Sequence, residues 1–152
     1  MSGVIKMYQK LSKLPFGKQL FSRAVNAKAP YFKSIKGQIL ELESGYGKAF
    51  LRKRRSVENH IGTVHAIAMC NLCELIGGLT IEATIPKHKR WIPKGMQVEY
   101  LKKAETNLTA TTELKNIDWD NVQVVPVKVD VKNDQDVVVM RASIDMYISD
   151  KS

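Results

Sequence analysis

The hydrophobic positions of the first 28 residues repeat every three to four places. Val4, Met7/Tyr8, Leu11 and Leu14 keep helical spacing, and Leu20/Phe21 and Ala24/Val25 continue the stripe beyond Pro15. Proline lacks the N–H a helix interior needs, so the pattern predicts a helical segment over residues 3–28 broken in two at Pro15. From Tyr31 the period changes to two, with Ile35, Gly37 and Ile39 set against Gln38, Leu40 and Leu42. This predicts a strand over Lys33–Glu43, a turn at Ser44–Gly47 and a second strand over Lys48–Arg55, together a hairpin. A helix follows over about Thr63–Leu79, then strands over Thr80–Pro86, Met96–Leu114, Val122–Val131 and Val137–Ile148, the last two a hairpin about Lys132–Gln135.

The central helix decides the architecture. Val64, Ala66, Ile67, Ala68, Met69, Leu72, Leu75 and Ile76 make it apolar almost all round. Such a helix must be wrapped rather than laid on a surface. The expected fold is therefore α+β: a strongly curved antiparallel sheet of about six strands around one buried helix. The expected organisation is a single domain over 1–152, with an N-terminal helical segment at 1–28 and a core at 30–150.

Composition agrees with this picture and adds little to it. The 152 residues are 44% hydrophobic and 26% charged, an ordinary globular balance that excludes collagen-like, disulfide-scaffold and disordered classes. No run of ~18 uncharged apolar residues appears, so no transmembrane segment is expected. No secretory pattern opens the chain, and a cytoplasmic location is expected.

Charge changes the picture more. The formal net charge is +9, and residues 1–55 carry 13 Lys/Arg against only Glu41 and Glu43. The polar face of the first helical segment holds Lys6, Lys10, Lys13, Lys18 and Arg23 without an acid. Such a segment can pack on its own domain or lie on a membrane surface. The basic front half suits nucleic acid, acidic lipid or a phosphorylated small molecule, or is a solvated face. Aromatics are only 7%, no basic strand is interleaved with them and no zinc-finger spacing exists, so no nucleic-acid partner is expected.

Cys70 and Cys73 form the single C-x-x-C pair. A zinc site needs two further ligands, and only His60, His65 and His88 are on offer, with no second cysteine pair. A redox pair would start at a helix N-terminus, whereas both thiols fall mid-helix. They are expected to be reduced, buried and structural, with no metal and no cofactor.

Two polar residues interrupt the apolar helix, Asn71 and Glu74. A carboxylate rarely goes inside unless it is paired or functional. The loop before the helix reads Asn59-His60-Ile61-Gly62-Thr63-Val64-His65. Asn59 lies six residues before His65, Gly62 three before it, and Glu74 nine after it. This arrangement resembles the signature of the hotdog-fold acyl-CoA thioesterases of the phenylacetate-pathway type. That signature has an Asn, a Gly, a His-Gly-Gly opening the central helix and an acid nine residues after the His. The order of elements resembles that fold as well.

The resemblance implies an acyl-CoA substrate and a homodimer, or a tetramer made of two dimers. It implies hydrolysis of the thioester to a carboxylic acid and free CoA. The backbone N–H at Ile67 would polarise the thioester carbonyl. Glu74 would attack that carbonyl or activate a water, and His65, Asn59 and Gly62 would shape and orient the site. One departure is plain: the family's two glycines after His are Ala66 and Ile67 here, and a branched side chain crowds an approach that glycine leaves open. The alternative is a non-catalytic hotdog protein that binds an acyl thioester or lipid.

Spacing bears on assembly. Nine residues span about 13–14 Å along a helix and about half a turn around it, so one helix cannot aim both ends at one atom. Two antiparallel copies can. Basic residues should meet the phosphates of CoA. Lys102, Lys103 and Arg90 are the first candidates, with Arg54, Arg55, Lys87 and Lys89 behind them.

Overall fold

The computed structural model describes residues 2–121 and 123–151. The break at Pro15 separates α1 (Gly3–Ser12) from α2 (Gly17–Lys28). Ser2 caps α1, its hydroxyl accepting from the Ile5 N–H at 3.4 Å. Tyr8 and Phe21 meet edge to face with centroids 5.1 Å apart. The Tyr8 hydroxyl donates to the Leu40 carbonyl at 2.7 Å. The buried Ser22 hydroxyl accepts from the Ile39 N–H at 2.8 Å, so α2 supplies a partner to the edge of the sheet.

The first hairpin is β1 (Gln38–Glu43) and β2 (Tyr46–Leu51). β1 starts five residues later than the alternation predicts. A 3-10 turn at Pro30–Ser34 and a left-handed Lys36 (φ 50°) keep the preceding chain out of extended conformation.

The central helix, α3, runs Ala66–Thr84. The strand expected at Thr80–Pro86 does not exist: Thr80 through Thr84 are the last turn of α3. β-branched residues favour strands weakly, and here the helix satisfies them from within. Thr80 Oγ1 donates to the Ile76 carbonyl at 2.8 Å and Thr84 Oγ1 to the Thr80 carbonyl at 2.6 Å. The helix stops at the residue before Pro86, where the ring disfavours helical geometry.

The long strand expected over Met96–Leu114 is two strands, β3 (Lys89–Tyr100) and β4 (Leu108–Glu113). They lie apart in the sheet, whose order is β1-β2-β4-β5-β6-β3, with β5 (Val124–Lys132) and β6 (Val138–Asp150). The expected start of β5, Val122, lies outside the described residues. All pairings are antiparallel. The two edges are β1 and β3.

This is the hotdog fold: a six-stranded antiparallel sheet wrapped around α3, with an N-terminal helical segment. Val125, Val127, Val129 and Val131 alternate inward along β5 and face the helix with Ile144 and Met146 of β6. Two glycines let α3 press onto the sheet. A Cβ on Gly77 would lie 3.2 Å from Val127 Cγ1, and one on Gly78 would lie 3.0 Å from the Trp91 ring. By length and composition α3 could cross a membrane, yet most of it is enclosed by the sheet.

Candidate active site

The loop that opens α3 is built around Asn59. Its Oδ1 accepts from the Ile61 and Thr63 N–H groups, each at 3.1 Å, and its Nδ2 donates to Thr63 Oγ1 at 2.8 Å. Gly62 has φ 78°, the left-handed conformation that glycine adopts without penalty. These two residues of the motif therefore shape the loop. The Asn59 amide is engaged within the loop.

His65 is the N-cap of α3. Its Nδ1 accepts from the Ile67 N–H at 3.0 Å. The helix accordingly begins at Ala66 rather than Thr63. The amide expected to hold the thioester carbonyl oxygen is thus already engaged by the histidine beside it. Both side chains face solvent, with Ile67 54% exposed.

Glu74 is half-buried. Among the described residues no ion pair includes it. Its orientation follows from the helix. Cys70, Glu74 and Gly78 are four apart, so they lie one above another on one face. Cys70 Sγ touches Tyr100 Oη at 3.5 Å near the end of β3, and Gly78 lies against Trp91 near its start. Glu74, between them, faces the middle of the open β3 edge. The contact with Cys70, and then burial, push the Tyr100 phenol up to about 12.

The two thiols differ. Cys73 is fully buried, and burial raises its pKa strongly. Cys70 is only half-buried, against the expectation that both thiols are buried, because it lies on the Glu74 face at the sheet edge.

Asn71 was visible in the sequence as a polar interruption, but not as part of this region. It is 6% exposed; its Nδ2 donates to Ser34 Oγ at 3.2 Å, and its Oδ1 has no partner among the described residues. A hollow of about 190 Å³ beside it is lined by Tyr31, Ser34, His65 and Ile67 among others. No sequence signal pointed to Tyr100 or Ser34, since both reach α3 only through the tertiary fold. A hollow of about 770 Å³ lies instead on the outer sheet face around Lys128, Asp130 and Arg141, and none of the expected site residues lines it.

The basic candidates divide. Lys102 and Lys103 are exposed in the segment after β3, next to the Ala104 carbonyl that accepts from the Val64 N–H at 2.8 Å. They sit at the His65 end of α3. Arg90 is near the other end of β3, where its Nε donates to Ser149 Oγ at 3.0 Å. Arg90 and Tyr100 are ten positions apart along β3, about 33 Å in extended chain. One chain therefore does not bring Arg90 and the lysine pair together.

Residues 17–148 match the family described as "Domain of unknown function (DUF4442)". No curated protein matches. Among solved structures, the crystal structure of genomics target APC5556 is 43% identical, covering 97% of this chain and 99% of that one with a TM-score of 0.87. PA5026 from Pseudomonas aeruginosa, described as a protein of unknown function and "Probable Thioesterase", is 18% identical over 91% of this chain and 97% of its own, with a TM-score of 0.76. Thioesterase HI1161 from Haemophilus influenzae is 12% identical over 79% and 82%, with a TM-score of 0.70. The last two likenesses are of fold.

Proposed function

The chain belongs to the DUF4442 family, and we propose that it is a thioesterase of the phenylacetate-pathway type, hydrolysing an acyl-CoA thioester to a carboxylic acid and free CoA. The observation that carries this reading is Glu74: a half-buried carboxylate without an ion-pair partner among the described residues, held over an open sheet edge, whereas the other acid of α3, Glu82, accepts from Trp91 Nε1. Structural acids on such a helix are normally paired.

The proposed site is completed by a second copy. β3 is a 12-residue edge strand with Ile92 61% and Tyr100 51% exposed, the kind of edge that invites pairing. Antiparallel pairing of two β3 edges would set the Glu74 face of one chain toward the His65 loop of the other. It would also bring Arg90 of one chain toward Lys102 and Lys103 of its partner, which supports those three as the phosphate-binding set. The assembly is a homodimer or a tetramer of two such dimers, each chain one domain, at work in the cytoplasm.

The chemistry uses few groups. The substrate carbonyl displaces His65 Nδ1 from the Ile67 N–H, where the α3 dipole also favours the developing oxyanion. Glu74 then follows one of two routes. It attacks the carbonyl carbon, expelling CoA thiolate and leaving a mixed anhydride that water hydrolyses. Alternatively it takes a proton from water, whose oxygen attacks, and the thiolate leaves to be protonated. Asn59 and Gly62 act by holding the loop.

A second reading, a non-catalytic hotdog protein that binds an acyl thioester or lipid, is favoured by one observation. The Ile67 N–H is engaged by His65, and a branched side chain stands where the family has glycine. Incubation with a panel of acyl-CoAs, with free CoA resolved by chromatography, separates the two. Release of CoA that Glu74→Gln abolishes supports the enzyme. Tight acyl-CoA binding without release supports the binding protein.

A further inference from the structure

We propose that the corner between α1 and α2 is a docking surface for an anionic lipid bilayer. The corner is rigid. The Leu14 N–H donates to the Leu11 carbonyl at 2.8 Å and the Gly17 N–H to the Leu14 carbonyl at 3.0 Å. A Cβ at Gly17 would lie 1.6 Å from the Leu11 oxygen, so only glycine lets α2 start this close to α1. What this fixed corner presents is apolar. Leu14 is 54% exposed and Phe16 77% exposed.

Phe16 is the telling residue. It occupies the left-handed region at φ 58°, which a bulky side chain seldom adopts, and its ring gains little from the core in return. Glycine or asparagine would fit the backbone better. The ring also opens a stripe: Phe16, Leu20, Ala24 and Ala27 are spaced four, four and three apart and are all exposed. The opposite face of α2 is the one that packs, through Phe21, Ser22 and Val25. The helix therefore has two apolar faces, and the fold covers one.

Charge identifies the occupant. Up to Leu40 the chain has eight Lys/Arg and no acid, the first being Glu41. Lys10, Lys13 and Lys18 are exposed around the corner, and Arg23 and Lys28 farther along α2. Glu41 and Glu43 share the neighbouring hollow with Lys18 on the α1 side, while at the corner itself a second copy would bring like charges together. Leu14 and Phe16 border a hollow of about 260 Å³ whose lining holds Lys18 and no acid, and an apolar rim with only basic charge suits anionic lipid headgroups. An apolar face flanked by Lys and Arg is the pattern of helices that lie in an anionic interface. The surface adjoins the β1 edge, opposite β3, so pairing through β3 leaves it free.

Sedimentation of the full chain with lipid vesicles tests this. Binding is expected to vesicles of phosphatidylcholine with phosphatidylserine, at least about tenfold weaker to phosphatidylcholine alone, and weakened by high salt. Phe16→Asn with Leu20→Ser should lower binding about tenfold or more without lowering Tm, because asparagine tolerates the left-handed backbone. Lys10→Glu, Lys13→Glu and Lys18→Glu together should abolish it. The proposal is overturned if wild-type protein fails to sediment with either vesicle at low salt, or if the Phe16/Leu20 variant sediments as wild type. It is equally overturned if that variant instead lowers the molar mass seen by light scattering, which would make the corner a contact between copies.

Discussion

Tyr100 Oη lies 3.5 Å from Cys70 Sγ, and this contact joins the start of the buried helix to the end of the edge strand. It marks the rotation of α3 about its axis, which the buried residues of the helix set. With Cys70 against Tyr100 and Gly78 against Trp91, the residue midway between them, Glu74, must face the strand that has no neighbour. An acid that helical periodicity alone would bury is thereby brought to the boundary of core and solvent.

The same contact separates the two thiols. Cys70 is half-buried and Cys73 is sealed in the core with its pKa raised by burial. The thiolate is the reactive form, so native protein should take up one equivalent of a thiol reagent, and the second only on unfolding. Cys70→Ser should remove the native equivalent. Two equivalents labelled at equal rates in native protein would contradict this arrangement.

A pH dependence follows from Tyr100, whose phenol is raised from 10.0 to about 12 chiefly by Cys70. The folded state then holds the phenolic proton more tightly than the unfolded one. Its stabilising contribution is intact below pH 10 and is lost as pH rises toward 12. The phenolate absorbance of wild type minus that of Tyr100→Phe should titrate near 12, and Cys70→Ala should move it back toward 10. A Tyr100 midpoint that Cys70→Ala leaves in place would remove the thiol as the cause.

The fold was legible because its strongest signals are local. Pro15 cut the N-terminal segment where periodicity said it would, and the all-round apolar stretch after His65 demanded a wrapped helix. The strand inventory was less legible. Thr80, Ile81 and Thr84 have strand propensities that the core packing of α3 overrode, and the alternation through 96–114 concealed a seven-residue connection between β3 and β4. Of the candidate site, sequence spacing marked Asn59, Gly62, His65 and Glu74. It could not reveal that Asn59 is engaged within its own loop or that His65 caps Ile67, since both depend on dihedral angles. Tyr100 and Ser34 are 30 and 37 residues from the helix positions they touch.

Close approach between sheet and helix makes Gly47 a sensitive position. A Cβ there would lie 2.1 Å from Thr80 Oγ1 and 2.9 Å from Ile76 Cδ1. Overpacking of this kind typically costs about 1–3 kcal/mol. Gly47→Ala should therefore lower the denaturant midpoint with an unchanged m-value. An unaltered midpoint would mean that α3 can retreat from β2.

His65 combines capping with proposed chemistry, and substitution can part the two. Loss of an N-cap costs about 0.5–2 kcal/mol, so His65→Ala should lower stability within that range. Asp is a strong N-cap, and His65→Asp should hold stability near wild type. If the imidazole only caps the helix, the Asp variant keeps thioester hydrolysis. If it orients substrate, the Asp variant folds normally and loses turnover. Ile67→Gly complements the pair: with crowding relieved, hydrolysis should rise despite about 1 kcal/mol lost in helix propensity.

The decisive substitution is at Glu74. Glutamine nearly matches glutamate in shape, but its amide neither accepts a proton at neutral pH nor attacks a thioester at useful rates. In a helix position that faces the open β3 edge rather than a salt-bridge partner, the exchange should leave the fold and oligomeric state unchanged. If Glu74 is the base or nucleophile, kcat should fall at least ~100-fold while the affinity for a non-hydrolysable acyl-CoA analogue stays. A structural acid would behave oppositely: Glu74→Gln would leave turnover intact and change stability instead. Because the site is proposed to span two chains, a mixture of Glu74→Gln and His65→Ala chains offers a stricter check. Each variant alone spoils both sites of a dimer, whereas a mixed dimer has one site built from an intact Glu74 and an intact His65. Partial recovery of activity on mixing is expected, and none would be seen if each chain carried a complete site of its own.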